Sequence, residues 1–269
     1  MNLVDTHCHI QSIGATPRDH THELWTKLGL DAEQVIESAV REDVTKMICV
    51  GCDLNDSALA TDFAAIHDGC FASLGIHPHE ANRYEDEKEI KAAFRQLAAK
   101  PKVVAIGECG LDYFYRHSTP EDQQRLLGWQ LDLAIELKLP VIFHVREAFG
   151  DFWPILKRYE GKIQGVLHSF TDNQENLNLA LEAGLYIGLN GIATFTKSDQ
   201  QIQMYRSIPM ERLVLETDAP YLTPTPYRGT INEPKHIRTI AEFVSSQRSI
   251  GLEDVAEATT RNAHLLFKI

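Results

Sequence analysis

The sequence predicts an α/β protein built as a (β/α)8 TIM barrel, and three observations carry that expectation. Short runs rich in valine and isoleucine alternate with helical patterns along the chain, as a parallel sheet buried on both faces requires. The length of 269 residues suits one barrel domain spanning 1–269, because such barrels take about 250 residues. Histidines and carboxylates recur where the strand-like runs end; in a parallel barrel those ends bring together side chains far apart in sequence.

The first strand-like run is LVDTH. Residues 11–30, which include His20, His22 and Trp25, then read as an extended βα loop, and AEQVIESAVRE as the helix after it. KMICVG, FASLGI, VVAIGE, VIFHV, GVLHSF, LYIGLN and RLVLETD are the later strands. DEKEIKAAFRQLAA, QQRLLGWQLDLAIELK and NQENLNLALEAG carry apolar residues at helical spacing between them. A loop rich in Pro, Thr and Gly, residues 219–235, follows the last strand, and Leu252 to Phe267 reads as a closing helix. Neither GxGxxG nor the P-loop pattern opens a helix, which removes the main support for a nucleotide-binding doubly wound sheet.

Composition narrows the function. The net charge of −12 argues against tight, non-catalytic binding of duplex DNA, since such binders neutralise phosphates with a basic surplus. A nuclease stays open, because bound metal ions add positive charge where the phosphate sits. The start MNLVDTHCHI lacks a signal peptide's basic and apolar regions, and no apolar stretch approaches the length of a membrane span. A cytoplasmic location, without membrane association or a stable protein partner, is expected. The five cysteines sit mostly in apolar runs, and the CxxC of Cys49 and Cys52 has no second pair downstream. Both read as core residues.

The chemistry lies at the strand ends. His7 and His9 close the first run in DTHCH, where an i, i+2 spacing puts both on one face. His77 follows the third, Glu108 the fourth, His144 the fifth, His168 the sixth and Asp218 the eighth. Such a set supplies ligands for two divalent ions, which activate water near neutral pH. Glu108, midway round the barrel, is the natural bridge. Asp218 can bind one ion and accept the proton of the attacking water.

DTHCH, GIHPHE, GECGLDY, FHVREA, ETDAPYLTP, RGTINEP and TTRNAHLLF together resemble the signature set of the TatD family of metal-dependent hydrolases, spread over the whole chain. The resemblance implies a barrel of the amidohydrolase-like superfamily, a two-metal centre of Mg, Mn or Zn, and deoxyribonuclease activity in several members. It implies one ion on His7, His9, Glu108 and Asp218 and another on Glu108, His144 and His168. His77 would contact the scissile phosphate or bound water. Ser169 stands where the family usually has Cys, and Cys109 where a larger apolar residue is common; neither replaces a ligand. The 11–30 segment is not part of the family pattern.

Around this set stand residues with two readings each. Asp112 either orients substrate or binds the backbone of its own loop. Arg146 either grips a phosphate oxygen, as a guanidinium fork does well, or pairs with Glu147 or Glu216. Glu216 is a candidate to support a ligand from behind. Arg228, Asn232 and Glu233 either fix the last loop or touch substrate, and His67, His117, His236 and His264 read as surface or packing residues. Tyr113, Phe114 and Tyr115 offer rings on which unpaired bases stack, which favours single-stranded or frayed 3′ DNA ends as substrate. The function expected is a 3′–5′ exodeoxyribonuclease using a two-metal-activated water. The alternative is an ester or amide hydrolase on the same centre, for example one deacylating mischarged tRNA or opening a cyclic amide. A non-enzymatic metal-bound scaffold is a third class, disfavoured by the full ligand set.

Overall fold

A computed structural model describes residues 1–13, 20–84 and 87–269. Eight parallel strands, β1 (Leu3–Cys8), β2 (Val44–Val50), β3 (Cys70–Leu74), β4 (Val103–Asp112), β5 (Val141–Arg146), β6 (Gly165–Leu167), β7 (Tyr186–Leu189) and β8 (Leu213–Leu215), pair in sequence order. Two hydrogen bonds return the sheet to its start: Asp218 N–H donates to His7 O and His9 N–H to Ala219 O, each at 2.8 Å. Asp5, fully buried, accepts from both the amide and the hydroxyl of Thr217 across the same seam. The result is the TIM barrel that the alternation predicts.

The helices are α1 (His20–Leu28), α2 (Ala32–Arg41), α3 (Leu54–Ile66), α4 (Glu87–Ala98), α5 (Pro120–Leu137), α6 (Phe149–Lys157), α7 (Gln174–Glu182), α8 (Asp199–Ser207), α9 (Ile237–Arg248) and α10 (Leu252–Phe267). Several begin on side-chain caps: Asp31, Asp53, Thr119, Asn173 and Ser198 each accept the N–H three residues on, which satisfies donors that the first turn leaves unpaired. Among the described residues, no helix is long and apolar enough to cross a membrane.

The strand period of two separates two cores. Val4, Ile48, Val104, Ile142, Val166 and Val214 fill the barrel together with Ala263, Leu266 and Phe267 of α10. Phe143, Leu167, Ile187 and Leu215 pack outward against the helices with Phe94, Phe152 and Leu177. Asn262 of α10 donates to Leu213 O and Thr260 to Asn2 O, so α10 covers the end where strands begin. The opposite end stays open. His144 and His168 stand two residues beyond the interior Ile142 and Val166, and Asp218 four beyond Val214, so one alternation fills the barrel and aims candidate ligands at its mouth.

Two expectations need correction. Residues 11–30 are not simply a loop: a 3-10 turn spans Ile10–Ser12 and α1 spans His20–Leu28, while residues 14–19 lie outside the described residues. The helical signal there is short, resting on His22, Trp25 and Leu28. Trp25 is buried and donates to His9 O at 3.0 Å, so it anchors the second histidine of DTHCH. Strand β4 also continues past Glu108 to Asp112, because Cys109 to Asp112 pair in register with Phe143 to Arg146.

Candidate metal centre

Glu108 organises the mouth. Its Oε1 lies 2.8 Å from His144 Nδ1, 3.5 Å from His168 Nε2 and 3.7 Å from His77 Nε2. Its Oε2 lies 3.3 Å from His7 Nε2. Asp218 Oδ1 completes the second side, 3.6 Å from His7 Nε2 and 3.3 Å from His9 Nε2. One carboxylate thus turns an oxygen toward each of two groups of imidazoles, the arrangement needed for a bridge between two ions.

These residues fit metal ions on a direct observation. His7 is fully buried, yet among the described residues neither ring nitrogen makes a hydrogen bond, the carboxylates of Glu108 and Asp218 being only ion-pair contacts of Nε2; this is a costly state for a polar group unless something else occupies the lone pair. Its ring stacks on His168 with centroids 3.7 Å apart. Trios able to hold an ion include His7, His9 and Asp218; His7, Glu108 and His168; His77, Glu108 and His144; and His9, Cys52 and Glu108.

Partners behind the ring fix which nitrogen faces inward. His9 Nδ1 meets Val50 O at 3.1 Å, and His168 Nδ1 meets Glu216 Oε1 at 2.9 Å, leaving each Nε2 for the centre. His144 is turned the other way, its Nε2 on Asp112 Oδ2 at 3.0 Å. His77 Nδ1 accepts the N–H of His79 at 3.1 Å, so the neutral ring carries its proton on Nε2. That makes His77 a donor toward the mouth rather than a lone pair, so the trio of His77, Glu108 and His144 lacks a ligand in this tautomer.

The charges follow. Burial pulls His7 and His77 below the usual histidine range, helped by the neighbouring His168 and His144 respectively. Burial also opposes charge on His9 and His168, but Asp218 outweighs it at His9, raised to about 9, and Glu216 with Glu108 at His168, raised to about 10. Burial would raise Glu108 and Asp218, yet the surrounding histidines hold both below the ordinary carboxylate range.

The remaining candidates divide. Asp112 is buried; Oδ1 accepts the N–H groups of Phe114 and Tyr115, and Oδ2 meets both His144 and His79 at 3.0 Å. It therefore ties the loop backbone to a ring of the centre. Tyr113 turns away, its hydroxyl donating to Asp151 at 2.8 Å. Arg146 lies over the rings of Phe114 and Tyr115, 4.0 and 4.8 Å from their centroids, while Glu216 is committed to His168 and the Ser169 N–H. Arg146 also borders a cleft of about 160 Å³ lined by His168, Phe149, Thr171 and Asp172. Arg228 covers Phe195 and donates to Thr223 O, and Asn232 donates to Thr217 O and Tyr221 O, so both hold the last loop. Ser169 accepts from Asn190 at 2.8 Å.

Two further residues stand at the mouth, His79, which no strand-end placement marked, and Cys52, expected in the core. His79 repeats after His77 the spacing of His9 after His7, a signal present in GIHPH, and it sits beside Asp112 and His117. Cys52 does not join the core with Cys49: it lies beyond β2, half-buried, with Sγ 3.9 Å from Glu108 Oε2.

A parallel barrel whose mouth gathers buried histidines around a carboxylate is the architecture of a metal-dependent hydrolase. A family model described as TatD related DNase matches residues 4–268, and the chain belongs to that family. It is 35% identical over 272 residues to YcfH of Escherichia coli strain K12, described as an uncharacterized metal-dependent hydrolase, covering 100% of this chain and 97% of that protein. It is also 36% identical over 245 residues to a protein of Citrobacter koseri described as the 3'-5' ssDNA/RNA exonuclease TatD, covering 89% and 94% of the two chains. Among solved structures, the TatD homologue YjjV of Escherichia coli K12 superposes with a TM-score of 0.84 at 26% identity, covering 99% and 98%.

Proposed function

We propose that the chain is a 3′–5′ exonuclease hydrolysing phosphodiester bonds of single-stranded or frayed DNA with two divalent ions, of Mg, Mn or Zn. The observation that carries this reading is the divided carboxylate of Glu108, with His7 on one oxygen and His144 and His168 on the other. The naming of similar proteins as single-strand exonucleases supports the choice of bond. His7, His9, Glu108 and Asp218 would hold one ion, and Glu108, His144 and His168 the other. When bound, the ions lower the pKa of water and polarise the phosphoryl group.

The chain's own groups do the rest. Asp218, kept ionised by the histidines around it, takes a proton from the attacking water. His77 presents Nε2–H to a phosphoryl oxygen as charge builds there. Arg146 offers a phosphate contact at the cleft beside His168. Phe114 and Tyr115, 48% and 50% exposed, form an edge-to-face pair on which unpaired bases can stack.

Parallel digestion of one oligonucleotide, labelled at the 5′ end, as single strand and as blunt duplex tests this. Stepwise shortening of the labelled strand, faster for the single strand, is expected. Internal cuts, equal rates on both substrates, or hydrolysis of ester or amide substrates alone would reject the exonuclease reading, the last in favour of the alternative.

A further inference from the structure

Cys52 is the half-buried thiol among five free cysteines; Cys8, Cys49, Cys70 and Cys109 are all buried. Its backbone is locked to the centre. Cys52 N–H donates to Asp56 Oδ2 at 2.9 Å, Cys52 O accepts His77 N–H at 2.8 Å, and the adjoining Gly51 O accepts the N–H of Glu108 at 3.1 Å. Those bonds hold Sγ against Glu108 Oε2, the same oxygen that faces His7.

We propose that Cys52 is a sulfur ligand to the ion gathered by His9 and Glu108, biasing this position toward a thiophilic divalent ion such as zinc, cobalt or iron(II) over magnesium. The inference rests on the metal-centre reading and goes beyond the histidine and carboxylate set. Two observations carry it independently. First, the ligand atoms of His9, Cys52 and Glu108 lie within 4.8 Å of one another. A sulfur and an oxygen ligand on one zinc, at angles of about 110–120°, stand about 3.6–3.8 Å apart, close to the 3.9 Å between Cys52 Sγ and Glu108 Oε2. Second, the fully buried His7 points at that same Oε2, 3.3 Å away, an Nε2 that makes no hydrogen bond among the described residues, so the space they share lacks an electron-pair acceptor. On coordination the thiol gives its proton to solvent and its sulfur lone pair to the ion, with no redox change. Thiolate suits zinc, cobalt and iron, whereas magnesium prefers oxygen.

The test uses the full chain stripped of metal and titrated with cobalt(II), zinc and magnesium, beside Cys52→Ser and Cys52→Ala. Cobalt should give the wild type a near-ultraviolet sulfur-to-metal charge-transfer band that both variants lack at equal bound stoichiometry. Zinc affinity should fall by about tenfold or more in Cys52→Ala, and magnesium affinity should stay within about twofold. Zinc, but not magnesium, should shield Cys52 from alkylation. Identical cobalt spectra in wild type and variants, with cobalt bound in each, would overturn the sulfur ligand and leave the metal centre standing. Failure of the folded wild type to bind cobalt at all would overturn both.

Discussion

Replacing Gly188 by alanine should loosen the metal centre without touching a ligand. A Cβ there would meet Glu216 Oε2 at 2.3 Å and its Cδ at 2.8 Å, where ordinary contact begins near 3.4 Å. The carboxylate must therefore retreat by about 1 Å. Glu216 cannot do so freely, because it is buried with Oε1 on the Ser169 N–H at 2.6 Å and on His168 Nδ1 at 2.9 Å. A 1 Å retreat takes the Ser169 contact past hydrogen-bond range, a charged bond that contributes about 1.5–3 kcal/mol, and stretches the His168–Glu216 ion pair to about 3.9 Å. His168 then loses the partner that aims its Nε2 at Glu108, a kind of loss that lowers metal affinity by roughly 10–100-fold, or about 1.4–2.8 kcal/mol. Competition with a chromophoric chelator measures this, and circular dichroism checks the fold. Glu216→Gln should weaken binding in the same direction. A folded Gly188→Ala protein holding metal within about twofold of wild type would refute the reasoning.

Phe114→Ala and Tyr115→Ala should each weaken single-stranded DNA binding by about 1–3 kcal/mol while sparing turnover of a small phosphodiester; equal losses on both substrates would remove the stacking role. Because His9 and His168 are raised to about 9 and about 10, both are charged at neutral pH and must be deprotonated to bind an ion, so metal affinity should climb as pH rises. Calorimetry in buffers of different ionisation enthalpy should show at least about two protons released per chain near neutrality, and zero release would contradict this. Burial, with the Lys235 charge, lowers His236 to about 4, so its neutral form supports the fold above the unfolded value near 6.5 and that support is lost as pH falls toward 4. Between pH 7 and 5 this amounts to about 2 kcal/mol. Denaturant titrations of wild type and His236→Gln should show the variant losing that much less over the interval.

The barrel was legible because β-branched runs and turn residues mark strands wherever they occur, and α10 keeps the bounds Leu252–Phe267 read from its apolar spacing. Other helices were less visible for particular reasons. Buried positions of α3 are Ser57, Ala60, Thr61 and Ala64, too small to write an apolar stripe. Pro154 lies inside α6 and reads in the sequence as a helix breaker, and α8 is polar but for Ile202, Met204 and Tyr205. At the mouth, strand-end placement singled out six histidines and carboxylates that converge around Glu108. Residues that act through others leave no such mark. Glu216 and Asp112 stand behind His168 and His144 only once the chain after β8 reaches across β7 to the end of β6, and β4 pairs with β5. Cys52 looked like core because CxxC on a strand sends its sulfurs opposite ways, whereas the chain has already left β2 at Val50.

The most direct test is hydrolysis of 3′-labelled single-stranded DNA by metal-free protein resupplied separately with Mg, Mn and Zn, beside Glu108→Ala and Asp218→Asn. A two-ion centre bridged by Glu108 predicts about two ions bound per wild-type chain, release of the labelled 3′ nucleotide, and a rate loss of at least about a hundredfold in both variants. Two ions bound with no cleavage under any metal, or full activity in Glu108→Ala, would contradict it.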